Sequence, residues 1–204
     1  MGNRQKPMTE EQLRRGAGSI CYRAGQVTDS FKVWKIGLPD ETDYRIRGPI
    51  ENALVESTLI HARALAYFLQ TQLDGGDVHF SDYRPDWSDP ITEAARGIID
   101  PVSWYLAHAS RGSQAEEPPP RAWPIPEMAV ALVGGLASLT ADLSVAQRAW
   151  FWPEPGRLLG EIKVMGPLPG TERSANPRVA ELTDSLHVYL RARGLMAPDE
   201  DEEE

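Results

Sequence analysis

The sequence predicts an all-α fold, an antiparallel four-helix bundle with an appended C-terminal segment and helix. Apolar residues recur at spacings of three and four along four long stretches. Residues suited to helix N-caps (Thr9, Asp89 and Asn176) stand just before such stretches. The segment 50–72 holds neither Gly nor Pro, as a long uninterrupted helix requires.

In chain order, Thr9 and Gln12 have the spacing of a capping box. Ile20, Ala24, Val27, Phe31 and Trp34 then form one apolar stripe, which ends near Gly37 and Pro39. Gly16 and Gly18 weaken the first turns, so the helix is expected to be well formed from about Ser19. Pro49 suits the first turn of the second helix, 50–72, and Gly75-Gly76 its end. Its stripe is Ile50, Leu54, Ser57, His61, Leu65 and Phe68, with Val55, Leu59, Ile60 and Ala66 elsewhere on the circumference. Apolar surface on so many sides predicts a central position in the bundle.

Residues 74–90 read as a polar loop carrying Tyr83, Pro85 and Trp87. Asp89-Pro90 opens the third helix, whose core side is Ile91, Ala95, Ile98, Val102, Leu106 and Ala109; Pro101 within it is expected to kink or break it. An exposed connection follows over 111–124. The fourth helix, 126–150, spaces Leu132, Leu136, Leu139, Leu143, Ala146 and Trp150 like a and d positions. Its Gly134-Gly135 pair calls for a closely approaching neighbour. Beyond Trp152, Pro and Gly break the chain into turns, and the alternation at 161–164 permits one short strand. A last helix has Asn176 as N-cap, Pro177 at N1 and Gly194 at C′. The organisation expected is an N-terminal arm and cap (1–18), the bundle (19–150), a Pro/Gly-rich segment with a docking helix (151–195), and a disordered acidic tail (196–204).

The net charge of −9 is concentrated at one end, because six of the 30 acids form the run 199–204. The remaining 24 acids face 21 Lys and Arg, which leaves no overall footprint for nucleic acid. Cys21, the single cysteine, builds neither a disulfide framework nor a thiolate metal site, and reads as a small core residue. The longest mainly apolar run, 128–139, is shorter than the ~20 residues a bilayer needs. No apolar stretch follows Arg4, Lys6, Arg14 and Arg15, so no secretory signal is expected and a cytoplasmic location is.

Nucleotide loops of the GxGxxG and GxxxxGK[ST] types, HExxH, CxxC and GxSxG are all absent. His61 reads as a hydrogen-bonded core histidine, and Glu56 and Arg63 as members of an ion-pair network between helices. Glu56 lies about 140° around the helix from His61, so the two do not make a metal site, and neither metal nor cofactor is expected. Trp104, His108 and Arg111 share a face of the third helix away from its core side. An indole, an imidazole and a guanidinium together suit a phosphate, a base or a partner surface.

The string Asn-Ala-Leu-Val-Glu-Ser-Thr-Leu-Ile-His-Ala-Arg-Ala-Leu at 52–65 resembles a helix in a family of uncharacterised bacterial helical proteins. The segments 77–83 and Asp86-Trp87, and the pattern 106–111 with Trp123 beyond, are similar as well. The likeness spans about 49–143. More distantly, Ala107-His108 resembles the Ala-His step of HEPN (higher eukaryotes and prokaryotes nucleotide-binding) domains, helical bundles that often dimerise. Many of these are ribonucleases, with an Arg separated from the His by four to six intervening residues. Those positions here are Pro101, Val102 and Ser103. The resemblance therefore implies a non-catalytic interaction or regulatory module, acting as a homodimer or on a protein partner. Its alternative is a metal-independent ribonuclease in which His108 works with Arg111 at a dimer cleft. A small-molecule or nucleotide binder using Trp104 and His108 is a third reading.

Overall fold

The computed structural model describes residues 7–70, 78–109, 123–165, 174 and 176–196, with backbone only at 107–109. Eight helices follow one another among them, with no strand: α1 Glu10–Ile36, α2 Tyr44–Leu69, α3 Phe80–Tyr83, α4 Ile91–Ala109, α5 Ile125–Ala141, α6 Val145–Arg148, α7 Pro155–Val164 and α8 Pro177–Ala192. The all-α bundle expected from the sequence is what the chain builds. Of the expected exposed connection over 111–124 only Trp123 and Pro124 are described, and both are buried, with Trp123 in the core; its other residues, the Gly75-Gly76 stop and the acidic run 199–204 lie outside the described residues.

The central position belongs to α5 rather than to α2. Fourteen of the 17 residues of α5 are buried, and α1, α2, α4, α7 and α8 all pack on it. Its small residues are the physical reason. A Cβ on Gly135 would stand 2.7 Å from Ile91 Cγ1, so α4 closes directly onto the glycine backbone. The helix stops at Ala141 instead of running to Trp150. Ser144 caps a separate short α6 by accepting from Gln147 N–H.

Other differences have local causes. α1 begins at Glu10, not near Ser19, because the Thr9–Gln12 capping box forms in both directions. In addition, the Tyr83 hydroxyl donates to Leu13 O at 2.6 Å, tying the glycine-containing turns to α3. α2 starts at Tyr44, six residues before expectation, with Asp43 as N-cap and Pro49 accommodated inside the helix. Its buried face is Thr58, Leu59, Ala62, Leu65, Ala66, Phe68 and Leu69, rotated from the stripe expected, so Ile50 is exposed and His61 only half-buried. The supposed polar loop contains α3 and buries Phe80, Tyr83 and Trp87, with the rings of Phe80 and Trp87 edge to face at 4.7 Å. Pro101 does not break α4. The carbonyl deprived of a donor is that of Gly97, on the exposed side, where water can replace the lost bond. Residues 161–164 are helical in α7, whose buried Pro155, Leu158 and Ile162 keep helical spacing. Four alternating residues are too few to distinguish the two periods.

α8 starts and ends as expected, with Asn176 Oδ1 accepting from Arg178 and Val179 N–H and Gly194 at φ 62°. It runs antiparallel to α4. Arg193 meets Asp89 at one end of the pair, and Arg178 lies over Trp104 at the other. The helices of the C-terminal segment thus belong to the same core as the rest.

Candidate functional site

The residues singled out by sequence do not converge. His108 lies in the last turn of α4 with its side chain outside the described residues, and Arg111 lies outside them altogether. Trp104 is half-buried, and its ring is covered by the Arg178 guanidinium at 5.6 Å, from α8. Glu56 is exposed and acts on Tyr105, adding to the burial that raises this phenol's pKa. Arg63 sits over the Tyr67 ring at 5.1 Å and reaches its hydroxyl at 3.4 Å. Neither Glu56 nor Arg63 enters an ion pair among the described residues, so the expected network is not built there.

His61 is not the hydrogen-bonded core histidine expected. Its ring meets Tyr22 edge-on at 5.8 Å, and its buried Nδ1 has no hydrogen-bond partner among the described residues. Burial, and then the Arg23 charge, lower its pKa. Cys21 is fully buried, as the sequence suggests, and burial pushes its thiol up to about 12. No cluster of three or more His, Cys, Asp and Glu among the described residues has a metal-holding arrangement.

Two buried polar assemblies escaped the sequence reading. Asp89, read only as a cap, accepts from Ile91 N–H at 2.9 Å, Arg193 at 2.7 Å, Ser138 Oγ at 3.2 Å and Tyr189 OH at 3.4 Å. It thereby joins α4, α5 and α8 through one carboxylate. Beside it, a groove of about 680 Å³ runs between α4 and α8, with Glu93, Arg96, Asp100, Arg178 and Glu181 along its sides. In the second assembly, Glu127 of α5 is fully buried and lies 3.2 Å from His187 Nε2 of α8. A carboxylate on a helix buried on every side was the available signal for it.

The most distinctive surface is the tip of the α1–α2 hairpin. Gly37, at φ 78°, ends α1 with its N–H on Val33 O at 2.8 Å. Thr42 N–H returns to Pro39 O at 3.0 Å, and the Arg47 guanidinium donates to the same carbonyl at 2.8 Å. Asp43 caps α2 through Arg45 N–H and also takes that residue's guanidinium at 2.9 Å, which holds its carboxyl below the usual range. The turn is therefore well ordered, yet its apolar side chains are uncovered. Ile36 is 76% exposed, Tyr44 83% and Ile46 52%, with Val33, Trp34 and Ile50 also exposed beside them. Burial in α1 stops at Phe31 and resumes in α2 only at Thr58. The first 14 residues of α2, ~20 Å of helix at 1.5 Å per residue, contain none that is buried.

Comparisons with protein-family models, with curated proteins and with solved structures return no match.

Proposed function

We propose that this chain is a cytoplasmic, HEPN-like interaction or regulatory module without catalytic activity of its own, working as a homodimer joined through the α1–α2 tip. The observation that carries this reading is the uncovered first half of α2. Helices in proteins draw most of their stability from packing an apolar face, and this stretch presents Ile46, Ile50 and Tyr44 with nothing over them.

A second copy is the occupant that suits the chemistry. A twofold axis lays a patch on itself, so its rim must complement itself. Asp40, Glu41, Asp43 and Glu51 stand around this patch with Lys35, Arg45 and Arg47, so the rim carries both signs of charge. The six exposed apolar side chains offer an area on the order of 600 Å², taking ~150–250 Å² for a whole aromatic, against the ~800 Å² per partner of a standard interface.

Sedimentation over a concentration series tests the reading. The wild type is expected to sediment as a dimer, and Tyr44→Ser with Ile46→Asp as a monomer of unchanged helix content. A wild type that stays monomeric at high concentration, or a dimer indifferent to both substitutions, overturns it.

A further inference from the structure

Helix α2 carries a second apolar stripe, on the side turned away from the core. At ~100° per residue, Ile46, Ile50, Ala53, Ser57 and Ile60 fall within about 40° of one line along the helix. Their spacings of four, three, four and three are those of a seam between two helices. The buried Leu59, Ala62, Ala66 and Leu69 lie on the opposite side. The stripe is open over this length. Ile46, Ile50 and Ala53 are exposed, Ser57 is half-buried, and Ile60, well beyond the hairpin tip, is still 49% exposed. It closes at Phe68, which falls on the same side and is buried.

Charged residues flank the stripe. Glu56 and Arg45 share one flank, and Arg47 and His61 stand on the other. Glu56 is exposed and enters no ion pair among the described residues. Arg45 is exposed as well, held at 2.9 Å from Asp43 at the start of the helix.

We propose that α2 packs antiparallel on α2 of a second copy, with the twofold axis crossing between Glu51 and Asn52. The pairing rests on the reading of the tip as the face where two copies join, and adds its direction, register and extent. This axis sets Ile46 on Ser57 and Ile50 on Ala53, so each isoleucine meets a small side chain and the two stripes interdigitate. It brings Glu56 beside Arg45 of the second copy, and symmetry makes the contact twice. The interface also runs on to Ile60, level with the turn that opens α2 of the second copy. That adds apolar area to the tip, toward the ~800 Å² per partner of a standard interface. Two other arrangements fit less well. A parallel pair sets Ile on Ile, leaves Ala53 and Ser57 facing their own counterparts, and puts Arg45 on the same side of the seam as Arg47. An antiparallel pair shifted to place Ala53 on Ser57 sets Glu56 against Glu56, and like charges across a helix pair repel.

Disulfide trapping reads the direction. Ile46→Cys and Ser57→Cys chains are mixed, oxidised and separated by mass; the native Cys21 is fully buried. The mixed disulfide is expected as the main product, because these positions face each other in the antiparallel pair and approach the ~4.4–6.8 Å Cα spacing a disulfide spans. A parallel pair separates them by ~16 Å along the axis and links each variant to itself. In sedimentation, Ile60→Asp is expected to raise the dimer dissociation constant at least about tenfold at unchanged helix content. Glu56→Arg is expected to weaken the dimer, and Arg45→Glu in the same chain to recover much of the loss. Val164→Asp, at an exposed site on α7, leaves it unchanged. A dimer that Tyr44→Ser with Ile46→Asp dissociates, but that yields only self-linked products, overturns this pairing and leaves the tip reading standing. So does a dimer indifferent to Ile60→Asp, or no recovery in the double charge reversal. A wild type monomeric at high concentration overturns both.

Discussion

Removing the Asp89 carboxylate tests how the three helices around it are joined. In Asp89→Ala, α4 loses its N-cap acceptor, worth about 1 kcal/mol at a typical site. The hydroxyl of Tyr189, a residue 6% exposed, loses its acceptor, at about 1–3 kcal/mol for a buried group left unpaired. Arg193, with about a third of its side chain exposed, recovers part of its loss through water. Together these place the destabilisation at about 3–5 kcal/mol, the range for breaking a buried ion pair from one side. Asp89→Asn keeps an acceptor for Ile91 N–H but turns an amide or a neutral oxygen toward Arg193, and should cost less. Urea unfolding followed by circular dichroism gives the differences from midpoints at constant slope. A double-mutant cycle with Arg193→Ala should return a coupling of about 1–3 kcal/mol. A loss under 1 kcal/mol for Asp89→Ala, or strict additivity with Arg193→Ala, would refute the view that this carboxylate holds α4, α5 and α8 together.

Gly135→Ala should destabilise by about 1–3 kcal/mol, because its Cβ meets Ile91 at 2.7 Å, and Ile91→Val should recover part of the loss. Gly97→Ala, with nothing within 4 Å of its Cβ on the exposed side of α4, should raise stability by up to about 1 kcal/mol; both are read from thermal melts. Leu136→Ala should cost about 2–5 kcal/mol, whereas Leu54→Ala, in the uncovered half of α2, should cost clearly less in the monomer. Equal losses in the same unfolding assay would show that Leu54 is covered. The pKa of His61 is lowered in the fold, so the unfolded chain binds its proton more readily. The resulting stability is complete above the unfolded value of about 6.5 and is lost as pH falls through the folded value. The acid-side decline in melting temperature should therefore be shallower in His61→Gln, and an unchanged profile would contradict this. Mixed RNA incubated with the protein in chelator should remain intact. Cleavage that vanishes in both His108→Ala and Arg111→Ala would establish the ribonuclease reading instead.

The helix boundaries that the sequence determined are those governed by local chemistry. The Asp89 cap and the Asn176-Pro177 start need only neighbouring backbone groups, so residue type and spacing suffice; the Thr9–Gln12 box was legible in the same way, although Gly16 and Gly18 pointed to a later start than the Glu10 observed. The all-α class was legible for the same reason, as a period repeated over long stretches. Which face of α2 turns inward was not, because Ile50, Leu54 and His61 follow one helical stripe while Leu59, Ala62 and Leu69 follow another. Only the positions of α1, α4 and α5 choose between them. The α7 helix over 161–164 likewise depended on its docking through Leu158 and Ile162. The polar sites were least legible. Asp89 and Arg193 are 104 residues apart, and Glu127 and His187 belong to different helices. Such convergence is set by how helices pack, and a linear pattern carries no record of which distant side chains that packing brings to one point.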